Sequence, residues 1–518
     1  MPESFIAMRT MRDLLDRNAH LHGTEPHLKF AGITSTFAEF RVRALKLANA
    51  LHALGLKVQD RIAVLGMNCR EYFEVYGMAE SSSYIVAPIN FRLAAPEMQF
   101  VIGDVQPRAL IFEQQYAGAI GAIRGNLPTV EHFICIGDDP PPWALGYEQL
   151  VAAADAEGAP HEPRPQHILS ILYTSGTTGR PKGAMITHQV MLALGAAWSV
   201  ELAADLGDRV LVSMPMFHIG ARSQSAALTY VGGTVVMLRA FDAATVAKTI
   251  EAERITQLHL APTLVQAVLD LPDLDRFDMT SLKTINYAAA PMPLTVLKRA
   301  LQRFGPIMIN GFGQTEGGGT TLRKAYHRPE GDLKDLKRLT SVGQPLRDTR
   351  VSIVDEQDRE VGAGTIGEIC FKSPQNMLGY WNNSAATIET LRNGWLHTGD
   401  MGYVDEDGFV YLADRKKDMI VSGGENVYSR EVEEALMSHP GVVDVAVIGV
   451  PDPRWGESVK AVVVGRQGAP IEVAELLAHC RKFIAGYKCP KSFDFVAELP
   501  RLPSGKINKV NLRSRYAL

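Results

Sequence analysis

The stretch Tyr173-Thr174-Ser175-Gly176-Thr177-Thr178-Gly179-Arg180-Pro181-Lys182-Gly183 decides how this chain is read. Ahead of it, Ile168-Leu169-Ser170-Ile171-Leu172-Tyr173 is a mostly apolar run of strand length. Beyond it, from about His188, the pattern QVMLALGAAW is helical. Glycines let backbone N–H groups turn toward an anion at close range. The hydroxyls of Thr174, Ser175, Thr177 and Thr178 add donors, and Lys182 adds a mobile point charge suited to phosphate. The segment reads as a triphosphate cradle. It is not a Walker loop, because no Gly-Lys-Ser/Thr ending is present. A polar surface loop is the competing reading, since Gly, Ser and Thr gather in loops for reasons of turn chemistry alone.

Composition narrows the class. A chain of 518 residues exceeds one ordinary core, so two or three domains are expected. With 46% hydrophobic and 21% charged residues the composition is that of a globular protein. The formal net charge of -4 offers no basic footprint for nucleic acid. Cys69, Cys135, Cys370, Cys480 and Cys489 are scattered without CxxC spacing, which argues against a zinc site or disulfide frame and for a reducing, cytoplasmic setting. Glu3, Arg9, Arg12 and Asp13 interrupt the N-terminal apolar residues, so no signal-peptide core is expected, and no apolar run reaches membrane-span length.

In chain order, the pattern predicts a helix over 36–56, then alternating strands and helices to 136, an open α/β unit. Residues 138–165, rich in Pro, Ala, Glu and Asp, read as a linker. A second α/β unit is expected to begin at the phosphate loop and run to Phe304. The charged stretch 323–338 reads as a loop. Short strands at 350–354, 367–372 and 408–413 predict a small β-rich module. After the charged run Asp414-Arg415-Lys416-Lys417-Asp418, a compact α+β domain is expected.

Several further strings carry chemistry. Asn310-Gly311-Phe312-Gly313-Gln314-Thr315-Glu316 follows a short apolar strand and offers an aromatic face for a base and a hard oxygen ligand for Mg²⁺. Ala288-Ala289-Ala290-Pro291, Gly394-Trp395-Leu396-His397-Thr398-Gly399-Asp400, Ser422-Gly423-Gly424-Glu425-Asn426-Val427 and Pro503-Ser504-Gly505-Lys506-Ile507 follow in that order. Taken one at a time, Glu316 and Lys506 read as surface charges, the glycine pair as a turn, and the 414–418 run as a solvated turn.

Together with the 173–183 string, these motifs resemble, over nearly the whole chain, the adenylate-forming superfamily of acyl-CoA synthetases, adenylation domains and beetle luciferases. The resemblance implies a large N-terminal domain, 1–416, of two α/β units and a β-rich module. It also implies a small C-terminal α+β domain, 417–518, on a hinge at Lys417. It implies that Thr174, Ser175, Gly176, Thr177, Thr178 and Lys182 hold ATP phosphates. Ala289, Ala290, Pro291, Asn310, Gly311, Phe312, Gly313 and Thr315 would line the nucleotide, Asp400 and Arg415 would hold the ribose, and Glu316 would bind Mg²⁺. Lys506, Glu316 and Thr174 would be catalytic, and Gly423 and Gly424 would border the coenzyme A tunnel. Phe312 stands where the family pattern has tyrosine, Ala288 where it has glycine, and Ser429 where proline is common.

The expected activity is an acyl-CoA synthetase working through an acyl-adenylate, with release of AMP and pyrophosphate. His218, Gly220 and Ala288 are the expected acyl-pocket residues, with a packed core histidine as the other reading of His218. Gly220 would open the pocket and Ala288 narrow it. A medium- or long-chain fatty acid is favoured, with an aryl-propenoic acid such as ferulate as the alternative. A carrier-protein-loading ligase or luciferase-like oxygenase remains a rival, and a homodimer is an open expectation.

Overall fold

The computed structural model describes residues 8–174, 181–290, 292–415, 418–422, 425–453, 455–466, 471–502 and 506–516. By internal contacts the chain divides into Met1–Arg350 with Phe371–Leu396, and Val351–Cys370 with His397–Leu518. The expected domain boundary, at 416/417, lies outside the described residues.

The larger unit holds two sheets. In one, strands Thr234–Met237, Arg209–Val212, Gln257–Leu260, Thr284–Ala288 and Met308–Gln314 lie side by side and parallel, inside a nine-stranded sheet. The connections are helical, as parallel pairing requires, and Ala243–Glu253, Pro262–Leu269 and Leu294–Phe304 are among them. Asp242 caps the first of these by accepting from Thr245 N, the role the sequence pattern assigns to such a residue. The other sheet has seven strands, with Arg61–Leu65 between Ala109–Glu113 and Ile85–Ile89.

The phosphate-loop strand does not start the second unit. Ile168–Thr174 pairs in parallel with Ile85–Ile89 through Val86 and Ser170, and so belongs to the seven-stranded sheet. Leu169, Ser170, Ile171 and Leu172 are all buried, as an interior strand covered on both faces demands. Residues 26–36 cross the other way. Their two strands, Pro26–Phe30 and Ile33–Thr36, complete the nine-stranded sheet through the parallel pairing of Pro26–Phe30 with Thr234–Met237.

Two more expectations are corrected, and one helix carried no expectation at all. The linker at 138–165 contains a strand, Leu145–Gly146, and a helix, Tyr147–Ala153, whose Tyr147 and Val151 are buried. The charged loop 323–338 contains a helix, Leu333–Arg338, capped by Asp332. The helix Ile219–Val231 carries no clean apolar stripe, because Arg222, Ser223, Gln224 and Ser225 are all buried in it. Arg222 is held by Glu80 and lies 4.1 Å over the Tyr76 ring. Periodicity cannot register a helix whose buried face is polar.

Downstream, Arg350–Val354, Gly367–Lys372, Trp395–Val404, Leu391–Arg392 and Val410–Arg415 form the expected β-rich module, a five-stranded sheet. The C-terminal part is α+β. Strands Ile420–Ser422, Glu425–Val427, Val442–Asp452, Gly456–Gly465 and Ser492–Phe495 make one sheet. Helices Ser429–Met437 and Val473–Cys480 pack on it around Val432, Leu436, Val447, Val463 and Leu476.

Candidate active site

The described parts of the organising stretch are two strands, followed by the helix. Lys182–Thr187 runs back antiparallel along Ile168–Thr174, and Thr174 is registered with Lys182. Only then does Thr187 cap the helix His188–Glu201, accepting from Val190 N. The helix starts only at His188, and Lys182 is placed by a β-ladder. Ser175, Gly176, Thr177 and Thr178 lie outside the described residues.

Glu316 sits on a second hairpin. Met308–Gln314 and Gly317–Leu322 pair antiparallel, Gln314 against Gly317, with Thr315 and Glu316 as the turn between them. The sequence reading ended this strand at Ile309; in fact Asn310, Gly311, Phe312 and Gly313 lie within it. Two of the glycines are forced by close approach. A Cβ on Gly311 would stand 2.7 Å from the Trp198 ring, and one on Gly313 would stand 2.9 Å from the Gly318 carbonyl oxygen. Phe312 is half-buried, with the Phe371 ring edge-on at 6.1 Å.

A short segment that sequence reasoning missed holds the two hairpins together. Residues 377–381 bond to both: Leu378 N donates to Met185 O at 2.9 Å, Trp381 N to Gly183 O at 2.7 Å, and Met377 N to Glu316 O at 2.7 Å. Within it, Tyr380 donates its hydroxyl to Glu316 Oε1 at 2.7 Å. Thr174 Oγ1 donates to the same oxygen at 3.3 Å. Lys182 Nζ lies 4.7 Å from the centre of the Tyr380 ring, a cation–π contact. Burial raises the Tyr380 phenol, and the Glu316 carboxylate raises it further, so this donor stays protonated. The signal in the sequence was a pair of aromatic residues after a glycine, Gly379-Tyr380-Trp381.

Both bonds to Glu316 fall on Oε1, leaving Oε2 without a partner among the described residues. No cluster of three or more His, Cys, Asp or Glu side chains forms a metal cage among those residues. A single carboxylate beside a hydroxyl suits Mg²⁺, which binds through one or two carboxylates plus substrate phosphates.

The acyl-pocket candidates lie nearby, at the C-terminal ends of parallel strands, where open α/β sheets bind ligands. Ala288 ends its strand in register with Gly311. Ala289 follows with φ +73, a left-handed conformation costly for any residue with a Cβ. Ala289 and Ala290 are exposed, and Pro291 lies outside the described residues. His218 is the N-cap residue of the helix Ile219–Val231, and Gly220 lies in its first turn.

A Cβ on Gly220 would stand 3.0 Å from His259 Nε2. His259, 7% exposed, was not among the predicted site residues. Burial brings its imidazole pKa down to about 4, with the Asn286 backbone opposing the shift. His259 Nδ1, Asn286 Oδ1 and Gln224 Oε1 are buried without a hydrogen-bond partner among the described residues. Each such atom costs about 1–3 kcal/mol.

The remaining candidates lie in the smaller unit. Asp400, 6% exposed, is registered directly opposite Arg415 across two antiparallel strands. Its backbone N–H donates to Thr398 Oγ1 at 3.0 Å, and Gly399 N donates to Glu368 Oε1 at 3.0 Å, so this part of the strand is fixed. Lys417, Gly423 and Gly424 lie outside the described residues. Lys506 is exposed, and its carbonyl accepts from Leu502 N at 2.7 Å beside the bridge between Arg501 and Ile507.

Comparison with known proteins shows the family. The family pattern of the AMP-binding enzyme matches residues 15–381, and that of the AMP-binding enzyme C-terminal domain matches residues 431–506. A feruloyl-CoA synthase of Amycolatopsis sp is 37% identical over 507 residues, covering 96% of this chain and 98% of the relative. The fatty acid–[acyl-carrier-protein] ligase ScoC of Streptomyces coeruleorubidus is 34% identical over 516 residues, covering 98% and 97%. Among solved structures, the anthranilate CoA ligase AuaEII in complex with anthranoyl-AMP superposes with a TM-score of 0.86 at 29% identity, covering 98% of this chain and 97% of the other. The chain belongs to the AMP-binding enzyme family of the adenylate-forming superfamily, as an AMP-forming acid–thiol ligase.

Proposed function

We propose that this protein is an ATP-dependent aryl-acid–CoA ligase, acting on an aryl-propenoic acid of the ferulate or coumarate type. The observation that carries the adenylating half is the fixed set Thr174, Lys182, Glu316 and Tyr380. In the first step the acid's carboxylate oxygen attacks the α-phosphorus of ATP, and pyrophosphate leaves. Two anions must meet, so alignment and charge neutralisation dominate the barrier. Lys182 and the 174–178 loop grip the leaving phosphates. Glu316 with Thr174 would hold Mg²⁺, which would supply charge neutralisation for those phosphates. Phe312 offers its face to adenine, Asp400 and Arg415 take the ribose hydroxyls, and Lys506 bridges carboxylate and α-phosphate. In the second step the sulfur of coenzyme A attacks the acyl carbonyl, AMP leaves and the thiol proton is lost. Rotation of residues 417–518 about Lys417 exchanges Lys506 for the Gly423-Gly424 segment between the steps.

The choice of an aryl acid over the fatty acid rests on the pocket. Gly220 was expected to open a channel for a long chain, yet the space its missing side chain leaves is bounded by His259 at 3.0 Å. The polar side chains beside Gly220, those of His259 and Gln224, disfavour an alkyl chain there. Relatives that the chain resembles, the feruloyl-CoA synthase and the anthranilate ligase, are named for aromatic acids. The similarity to ScoC keeps a second reading, transfer of a fatty acid to a carrier protein.

No described helix is long and apolar enough to cross a membrane, and five buried free thiols suit a cytoplasmic setting. A pyrophosphate-release screen with ferulate, 4-coumarate, cinnamate, octanoate and palmitate, with coenzyme A present, tests the reading. Preference for ferulate or 4-coumarate supports it, and turnover of the fatty acids alone refutes it.

A further inference from the structure

We infer that His259 selects the acid, exchanging a hydrogen bond with a hydroxyl group at the distal end of an aryl carboxylate lying over Gly220. This rests on the aryl-acid reading above and names the residue that would read the ring.

The sheet places the groups. Along one strand Asn286 and Ala288 are two residues apart and share a face. His259 is registered with Asn286 on the neighbouring parallel strand, so it shares that face too. It lies one pleat below the level of Ala288, roughly 6–7 Å deeper along the strands. An acid activated at the Ala288–Ala290 level and pointing down this face therefore brings its far end, not its carboxylate, to His259.

Three observations describe the surroundings of His259. His259 Nδ1, Asn286 Oδ1 and Gln224 Oε1 lack hydrogen-bond partners among the described residues, and all three side chains are more than nine-tenths buried. Gln224 lies one helical turn beyond Gly220, on the same face of its helix. Gly220 is the position where any side chain would press on His259 Nε2. The glycine keeps the ring's edge accessible.

The ring's protonation state matters for which ligand fits. With its pKa near 4, the imidazole is neutral at physiological pH, one nitrogen donating and the other accepting. A neutral hydroxyl can meet either nitrogen, whereas a second carboxylate would find no positive charge on this ring. An alkyl chain or an unsubstituted ring offers no hydrogen-bonding group to the Nε2 edge that faces Gly220. Sites built to bond a hydroxyl reject the analogue lacking it far more strongly than apolar pockets reject a misfit.

The test compares kcat/KM for 4-coumarate, cinnamate and decanoate in the wild type, His259→Leu and His259→Gln, with melting curves for each. The wild type should prefer 4-coumarate over cinnamate by at least about tenfold. In His259→Leu that ratio should collapse to within about twofold, through a raised KM for 4-coumarate. His259→Gln, which keeps a donor and an acceptor, should restore part of it. Should His259→Leu not fold, Gly220→Ala, which sets a methyl 3.0 Å from Nε2, should lower the ratio instead. A wild-type ratio near one, or a ratio unmoved by these changes, overturns the role of His259 and leaves the aryl-acid reading standing. Turnover of decanoate with neither aryl acid accepted overturns both.

Discussion

Tyr380 donates a 2.7 Å hydrogen bond to Glu316, fixing the carboxylate in line with Thr174, while Lys182 rests over the Tyr380 ring. One phenol thus orients both charges of the candidate phosphate site. Outer partners of a metal-binding carboxylate typically matter by about 10–100-fold. Tyr380→Phe keeps the ring under Lys182 and removes only the hydroxyl. It should raise the Mg²⁺ needed for half-maximal pyrophosphate release by about tenfold, with partial rescue at high Mg²⁺. An unchanged Mg²⁺ titration would separate Tyr380 from metal binding.

Glu316→Ala removes the carboxylate itself. Adenylation should fall by about 10²–10³-fold, the usual cost of losing a preorganised electrostatic group. The mutant's melting temperature should stay near the wild type's, because Glu316 sits on a two-residue turn. Normal activity with ordinary Mg²⁺ dependence would take Glu316 out of the site.

The family was legible in the 173–183 string, the Glu316 string and the order of the motifs, because chemistry dictates residue types there. Most strands were legible too, since buried parallel strands read as apolar runs. What was hidden depended on long-range partners. Lys182–Thr187 became a strand because Ile168–Thr174 and residues 377–381 flank it, and no local pattern announces that. Tyr380 gains its meaning only from Glu316, 64 residues away in sequence. His259 looked like any strand residue until Gly220 was placed beside it.

Ala289 holds φ +73 without being glycine. Ala289→Gly should therefore stabilise the native backbone by up to about 1 kcal/mol, offset by the glycine's greater freedom when unfolded. If the strain serves positioning, KM for the acid should rise while the melting temperature holds or rises. A clear fall in melting temperature would show that the turn is not strained.

His27, His188, His259 and His327 are buried, and burial lowers their pKa values to about 3, 3, 4 and 4. Unfolded, each titrates near 6.5. Below that pH the unfolded chain binds protons that the folded chain refuses, so stability falls as pH drops from about 6.5 toward 4. Each histidine contributes a slope of at most about 1.4 kcal/mol per pH unit. Neither ring nitrogen of His188 has a hydrogen-bond partner among the described residues. His188→Leu should therefore make the loss of melting temperature between pH 7 and pH 5 shallower. An identical loss in both proteins would mean that His188 carries no such linkage.

Lys506→Ala and Gly424→Leu divide the two half-reactions. The lysine variant should lose about 10²–10³-fold in adenylation and still form thioester from a supplied acyl-adenylate. The glycine variant should adenylate and fail at thioester formation. Equal losses in both steps for Lys506→Ala would mean one fixed arrangement serves both, with no exchange about Lys417.

The central claim is that the chain joins an aryl acid to coenzyme A through an adenylate, and product stoichiometry tests it most directly. Wild-type protein incubated with ferulate or 4-coumarate, ATP, Mg²⁺ and coenzyme A should yield aryl-CoA, AMP and pyrophosphate in equal amounts. ADP and phosphate in place of AMP and pyrophosphate, or adenylate accumulating with no thioester, would contradict the account.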